Sequence, residues 1–561
     1  MRITFVVLAL AAILVGQDLD TIVQKKNRKT ANLLDQVENP RERELFLKIY
    51  HETTPLVRRS LATEFLHQHP DSWLLAQVLE AASKSAMELN DLSSALYYGK
   101  QSLRLYPENP LLLVPMAIMH AKRGEKKAAE ANAEAALECL ERFAPPAGMS
   151  EQQWKPVFNS LREAATRLAV TGRPSPTGHR KPDPPAAYAG SASCKPCHSA
   201  QFSAWQQTGM ARMLRPLTPA NVIGDFSAGK EYRETAGPLL AKPARERDAF
   251  YIDLRRHSNK WDRHKIDYTI GSKWQQAYAT RTASGDLHVL PIQYNLLEKK
   301  WLNYWKAIDP EGSERADTGS FHEFRSVTSY QQNCAPCHTS QLREKGFAEP
   351  GVNCEMCHGP SAAHVAGGPA AFQFQKVSNR AYVAVCAQCH AQSALREPQG
   401  FPPRYERRPY VEFSRKAFYR DGRFRETTFI VESFERSACY RKGQANCGSC
   451  HNPHPADASA NPQSLKFAGE PDRMCLQCHG QVYTTEKHTK HPPQAEASRC
   501  VACHMPKIMN SLLFLARSHQ IDDKPDAAMT ERFGQRESPN ACLICHAERT
   551  MPWIREQLRS W

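Results

Sequence analysis

The chain has 561 residues, of which 41% are hydrophobic and 23% charged. That size suits two or three domains, and the balance excludes a membrane bundle and a disordered chain. Lys and Arg outnumber Asp and Glu by 73 to 58, a formal charge of +15, which alone would suggest an anionic partner such as nucleic acid or lipid. The 18 Cys and 22 His redirect that reading.

Met1 and Arg2 precede an apolar run, Ile3 to Val15, that turns polar at Gly16, Gln17 and Asp18. This is the pattern of a secretory signal over 1–17, and it predicts export to the periplasm or beyond the cell. The run is shorter than the roughly 20 residues of a membrane span, and no other segment comes close. An uncleaved tether is the alternative.

Residues 18–170 lack Cys-x-x-Cys and carry apolar residues at helical spacing. Asn90, Ala95, Ser102 and Leu105 recur as Gly124, Ala129, Ala136 and Cys139, and units close at His69-Pro70 and Tyr106-Pro107. The pattern resembles the tetratricopeptide repeat, whose small residues let paired helices pack closely and whose arrays dock protein partners. A helical spacer or cap is the other reading. Pro174, Pro176, Pro182, Pro184 and Pro185 predict a stiff linker over 171–189 and a domain boundary there. The remaining domain, 190–561, holds strand-like segments such as Phe250 to Leu254 and Leu287 to Tyr294, so a β-rich insertion is expected at about 225–330. The fold class is α+β and multidomain: all-α repeats, then a mostly helical, loop-rich domain with that insertion.

Sixteen of the Cys fall into Cys-x-x-Cys-His. The motifs are Cys194, Cys197, His198; Cys334, Cys337, His338; Cys354, Cys357, His358; and Cys386, Cys389, His390. Cys447, Cys450, His451; Cys475, Cys478, His479; Cys500, Cys503, His504; and Cys542, Cys545, His546 complete eight. Chance at this composition supplies about 0.02 copies, so the signal is specific. Thiols three residues apart on a turn can each add across a haem vinyl group, and the following imidazole reaches the iron. Each motif is therefore expected to bind one haem c covalently, eight in all. Zinc sites, disulfides and thioredoxin-like pairs do not repeat this unit with an obligatory His. Cys139 and Cys439 stand outside the pattern.

Eight haems, at about one to two negative charges each, would bring the holoprotein near neutrality. The basic, aromatic stretch Arg404 to Arg425 is then read as pairing with haem propionates rather than nucleic acid. Seven motifs crowd into 334–546, too little chain for separate shells, so neighbouring haems are expected to share walls.

Distal ligands are less local. His364 and His454 follow His358 and His451 by six and three residues. The shorter link spans at most about 10 Å and cannot pass round a porphyrin. Both are therefore expected on neighbouring haems. His322, His488, His491, His519 and Met210 are the further candidates, with Met210 expected at the first haem, where a thioether would raise its potential. His179, His257, His264 and His288 stay unassigned.

The runs Gly351 to His364, Ser437 to His454 and Cys500 to Pro506 resemble the multihaem cytochromes grouped with cytochrome c554 and octahaem hydroxylamine oxidoreductase, in members fused to tetratricopeptide repeats. The likeness covers roughly 186–561. It implies distal-ligand roles for His364 and His454. This chain has Met210 where relatives place a His, keeps a His in every motif, and shows no Tyr that can be matched to the haem cross-link of the hydroxylamine-oxidising members. Two functions follow as expectations. One is an exported electron carrier that docks redox partners, the repeats included. The other is an octahaem oxidoreductase using hydroxylamine, nitrite or tetrathionate at one open haem.

Overall fold

The computed structural model describes residues 34, 37–140, 150–169, 187–234, 237–308, 314–343, 346–370, 372–391, 417–511, 514–522 and 524–560. The expected signal (1–17), nearly all of the expected linker, His179 and residues 404–416 lie outside these.

Seven helices open the described chain: α1 Pro40–His51, α2 Pro55–Gln68, α3 Leu75–Glu88, α4 Leu92–Leu105, α5 Pro110–Lys122, α6 Lys126–Leu140 and α7 Glu151–Leu168. Their starts are written locally. Asn39, Asp91, Asn109 and Ser150 each accept a hydrogen bond from the first turn of the helix they precede, satisfying donors that the helix cannot. Pro40, Pro55 and Pro110 open helices where a missing N–H costs nothing.

The repeat is visible in the backbone. Asn90 (φ 57°) and Gly124 (φ 74°) end α3 and α5 in the left-handed conformation that suits these two residue types. Ala95, Ser102 and Leu105 on α4 and Ala129, Ala136 and Cys139 on α6 are all buried. Ser102 Oγ donates to the Ala76 carbonyl across the helix pair (2.8 Å). N-terminal helical repeats are thus a feature of the structure.

The middle of the chain holds ten strands: β1 Leu214–Pro216, β2 Tyr232–Arg233, β3 Leu239–Glu246, β4 Ala249–Arg255, β5 Trp261–Lys265, β6 Tyr268–Ile270, β7 Gln275–Arg281, β8 Leu287–Val289, β9 Gln293–Asn295 and β10 Lys300–Leu302. They form an antiparallel β2-β3-β4-β5 sheet and a β1-β6-β7-β9-β10 sheet on which β8 pairs with β7. The inward residues alternate, as in Phe250, Ile252 and Leu254 of β4. They meet Tyr278 and Tyr294 of the second sheet, and Leu290 and Ile292 of the link between β8 and β9, in one apolar core. After Asn303 the chain is mostly short helices and turns, with hairpins at Thr339–Leu342/Phe347–Pro350 and Lys507–Asn510/Leu515–Arg517.

The helical repeats do not stand apart from the motif-bearing region. Phe46, Phe65, Trp73 and Val78 share a core with Phe418, Phe424, Phe429, Ile508 and Met509. Leu75, Leu79 and Leu105 enclose Met529 in a second one. Arg436 donates to Glu108 through two nitrogens, Nη2 at 2.7 Å, and lies 4.1 Å from the Phe424 ring centre. Gly422 (φ 86°) passes so close to the Leu105 carbonyl that a Cβ would collide with it. Apolar burial and a buried ion pair thus join the repeat layer to the motif-bearing region.

Of the stretch Arg404 to Arg425, residues 417–425 are described. Arg420 lies over Trp73 and pairs with Asp71, Arg423 pairs with Asp421, and Arg425 pairs with Glu537 and lies over Tyr419. The repeat layer supplies the partners of Arg420, whereas those of Arg423 and Arg425 come from the motif-bearing region itself.

Candidate haem-attachment and ligand site

Six of the Cys-x-x-Cys-His motifs sit on single tight turns, while the fourth closes the helix Asn379–His390 and the seventh forms the short helix Cys500–His504. The backbone N–H groups of His198, His338, His358, His451, His479 and His546 each donate to the carbonyl of their motif's first Cys at 2.8–3.1 Å. Such an α-turn puts the two thiols and the imidazole on one side of the backbone. All eighteen thiols are free of disulfides. A small pocket beside Cys334, the first thiol of the second motif, is walled by Val289, Trp305, Arg315 and Ser329.

Five motif histidines face a second imidazole. Ring centres are 6.3 Å apart for His198 and His364, 6.1 Å for His358 and His454, and 6.4 Å for His451 and His519. They are 6.2 Å apart for His504 and His488 and 6.1 Å for His546 and His491, and ring planes in the five pairs differ by 6–31°. Two metal–imidazole bonds of about 2 Å each, with about 1 Å from each nitrogen to its ring centre, give about 6 Å. The residues therefore fit an iron held between two histidines.

The Nδ1 atoms agree with this. His364 Nδ1 donates to Gly368 O (3.0 Å), His451 to Gln463 O (3.1 Å), His491 to Thr489 O (2.6 Å), His504 to Asp522 O (2.6 Å) and His519 to Arg517 O (3.1 Å). A carbonyl on Nδ1 fixes the tautomer and turns Nε2 toward a metal. Burial pushes His519 down to about 4, with nearby His451 adding to the effect, and burial alone pushes His338 to about 4. Both rings are neutral, the form that binds iron.

His364 and His454 thus face the histidines of other motifs, not their own. The ring that faces His198 is that of His364, six residues after the third motif, while Met210 is placed by its backbone. Its carbonyl accepts from Val352 N (3.0 Å), and neighbouring Ala211 approaches Gly351, whose positive φ (74°) permits the contact. His322 lies beside β5 near Asp262 and His264, and among the described residues it makes no ring contact with a motif imidazole. Among the described residues, no second imidazole makes a ring contact with His338, His390 or His479.

The motifs also touch one another. Thiols of different motifs meet as Cys194 with Cys354, Cys337 with Cys389, Cys386 with Cys447, and Cys475 with Cys500. Gln388 donates to Met356 O (3.1 Å), Asn446 to Asn379 Oδ1 (2.9 Å), Gln477 to Ser449 O (2.8 Å) and Cys500 N to Asp472 Oδ1 (3.0 Å). The turns at Cys500–His504 and Ala541–Cys545 pack together.

Glu355, inside the third motif, was not apparent as a site residue from sequence. It is buried and accepts from the N–H groups of Ala189, Gly190 and Ser361 at 2.8–2.9 Å. Its carboxylate thereby ties the lead-in of the first motif to the third. The available signal was an acid placed between two cysteines of a motif.

Covalent haem sites repeated along one chain define a multihaem c-type cytochrome. Family matches agree: "Cytochrome c554 and c-prime" covers residues 293–359 and "Doubled CXXCH motif" covers 440–483. The crystal structure of the outer cell wall cytochrome OcwA is similar at 17% identity, with a TM-score of 0.43 over 67% of this chain and 86% of that one. No curated protein matches the sequence.

Proposed function

We propose that the chain is an exported electron-transfer cytochrome carrying eight haems c, one per motif, with His364, His454, His519, His488 and His491 as distal ligands to the haems of His198, His358, His451, His504 and His546. The observation that carries this reading is the set of five imidazole pairs at 6.1–6.4 Å. Haem c supplies one-electron iron chemistry when bound. The protein's part is to fix both axial imidazoles, hold the motifs in contact and limit water.

The pairing favours His364 over Met210 at the first motif, because an imidazole occupies the facing position. It also ties motifs together, since His364 belongs to the segment after the third motif and His454 to that after the fifth. Inter-motif hydrogen bonds and thiol pairs support an order first, third, fourth, fifth, sixth, seventh, eighth, with the second joining at the fourth through Cys337 and Cys389. A redox partner protein is the substrate of this reading. The helical repeats support the motif region by sharing its core.

Coulometric titration of the purified holoprotein tests it. About eight electrons per chain, taken up reversibly in overlapping steps, with sixteen motif Cys closed to alkylation, is expected. Fewer than six electrons would contradict the reading.

A further inference from the structure

At the second motif, as at the distal candidate His454, the imidazole Nδ1 is orphaned. His338 Nδ1 is buried and has no hydrogen-bond partner among the described residues, whereas five other site imidazoles donate Nδ1 to a backbone carbonyl. One other orphaned polar atom stands beside it. Tyr330 is wholly buried, and its hydroxyl also lacks a partner among the described residues. The two ring centres are 6.3 Å apart, with planes 55° apart. A phenol oxygen reaches about 3 Å from its ring centre and Nδ1 about 1 Å, so a hydrogen bond of ordinary length is within reach of a modest rotation of the His338 ring.

Sequence and packing hold Tyr330 in place. It begins the turn Tyr330–Asn333, whose cap Ser329 accepts from Gln332 N. Its ring is locked among Leu214, Ile270, Leu287, Val289 and Ala335. Leaving both a buried N–H and a buried hydroxyl unpaired costs more than pairing them. A side-chain hydroxyl is the available acceptor, because no backbone carbonyl reaches His338 Nδ1.

We propose that Tyr330 is a positioning residue for the second haem, its phenol oxygen accepting the Nδ1–H of His338 and so fixing that ligand's orientation and donor strength. The inference rests on His338 being an axial ligand. A hydrogen bond from Nδ1 makes the imidazole a stronger donor and favours ferric iron, so its removal favours the ferrous state.

The test is the coulometric titration of the full holoprotein carrying Tyr330→Phe, with Tyr278→Phe as the control. Tyr278 is another fully buried tyrosine, but its hydroxyl donates to Gln276 and accepts from Gly224 N. Tyr330→Phe is expected to shift one component about fivefold toward the reduced state and leave the others in place. Should Tyr330→Phe fail to accumulate with its haems, Tyr330→Met gives the same reading, since it also lacks the hydroxyl. All components present and none shifted would overturn the role of Tyr330, as would the same shift in Tyr278→Phe. A component missing from the wild-type titration would instead overturn the ligand reading of His338.

Discussion

His451 and His519 face each other at 6.4 Å with ring planes 14° apart, although one closes the fifth motif and the other follows the seventh. Each is anchored by a backbone carbonyl on Nδ1, so both rings are held in orientation by the chain itself. A pair built this way makes the seventh motif's trailing segment part of the fifth motif's site.

His364→Ala is expected to convert one low-spin haem of the set to high spin and leave the protein folded, since His364 is exposed and bonds only to Gly368 O. Electron paramagnetic resonance on the oxidised protein checks this. An unchanged spectrum would remove His364 from the ligand set.

The Arg436–Glu108 pair joins the repeat layer to the motif region, with side chains 6% and 11% exposed. Removing one partner strands a buried charge, so Arg436→Ala should cost about 3–5 kcal/mol in denaturant unfolding. Arg436→Met with Glu108→Leu should cost much less, because neither charge is left behind.

Deleting residues 1–170 would uncover Phe418, Phe424, Phe429, Ile508 and Met509. The truncated protein is expected to bind a hydrophobic dye and aggregate. If it stays monomeric and dye-free, the shared core is dispensable.

What the sequence made legible was local. Eight five-residue motifs carry their geometry in one turn, and Asn90 and Gly124 mark repeat ends because left-handed backbone suits few residue types. The two-sheet region showed in the alternation of Phe250, Ile252 and Leu254. The partners of His198 and His546 were not legible, since spacing along the chain says nothing about which segment folds opposite. The burial of the 417–429 segment under α2 and α3 escaped for the same reason. Arg420, Arg423 and Arg425 read as partners of haem propionates, and the fold places Asp71, Asp421 and Glu537 beside them.

Acid should weaken the fold through His264. It is buried on β5 against Phe321 and Phe324, and burial pushes its pKa from 6.5 to about 4, opposed by Asp262 and Asp253. Below pH 6.5 the unfolded chain takes up this proton and the folded one does not, so stability falls between pH 6.5 and about 4, by about 3 kcal/mol. In His264→Asn that part of the pH dependence should vanish, whatever the variant's absolute stability.

Counting low-spin iron tests the central claim most directly. Paramagnetic resonance and near-infrared magnetic circular dichroism of the oxidised holoprotein should show at least five bis-histidine haems per chain, matching the five imidazole pairs. A spectrum dominated by high-spin or methionine-ligated haem would contradict it.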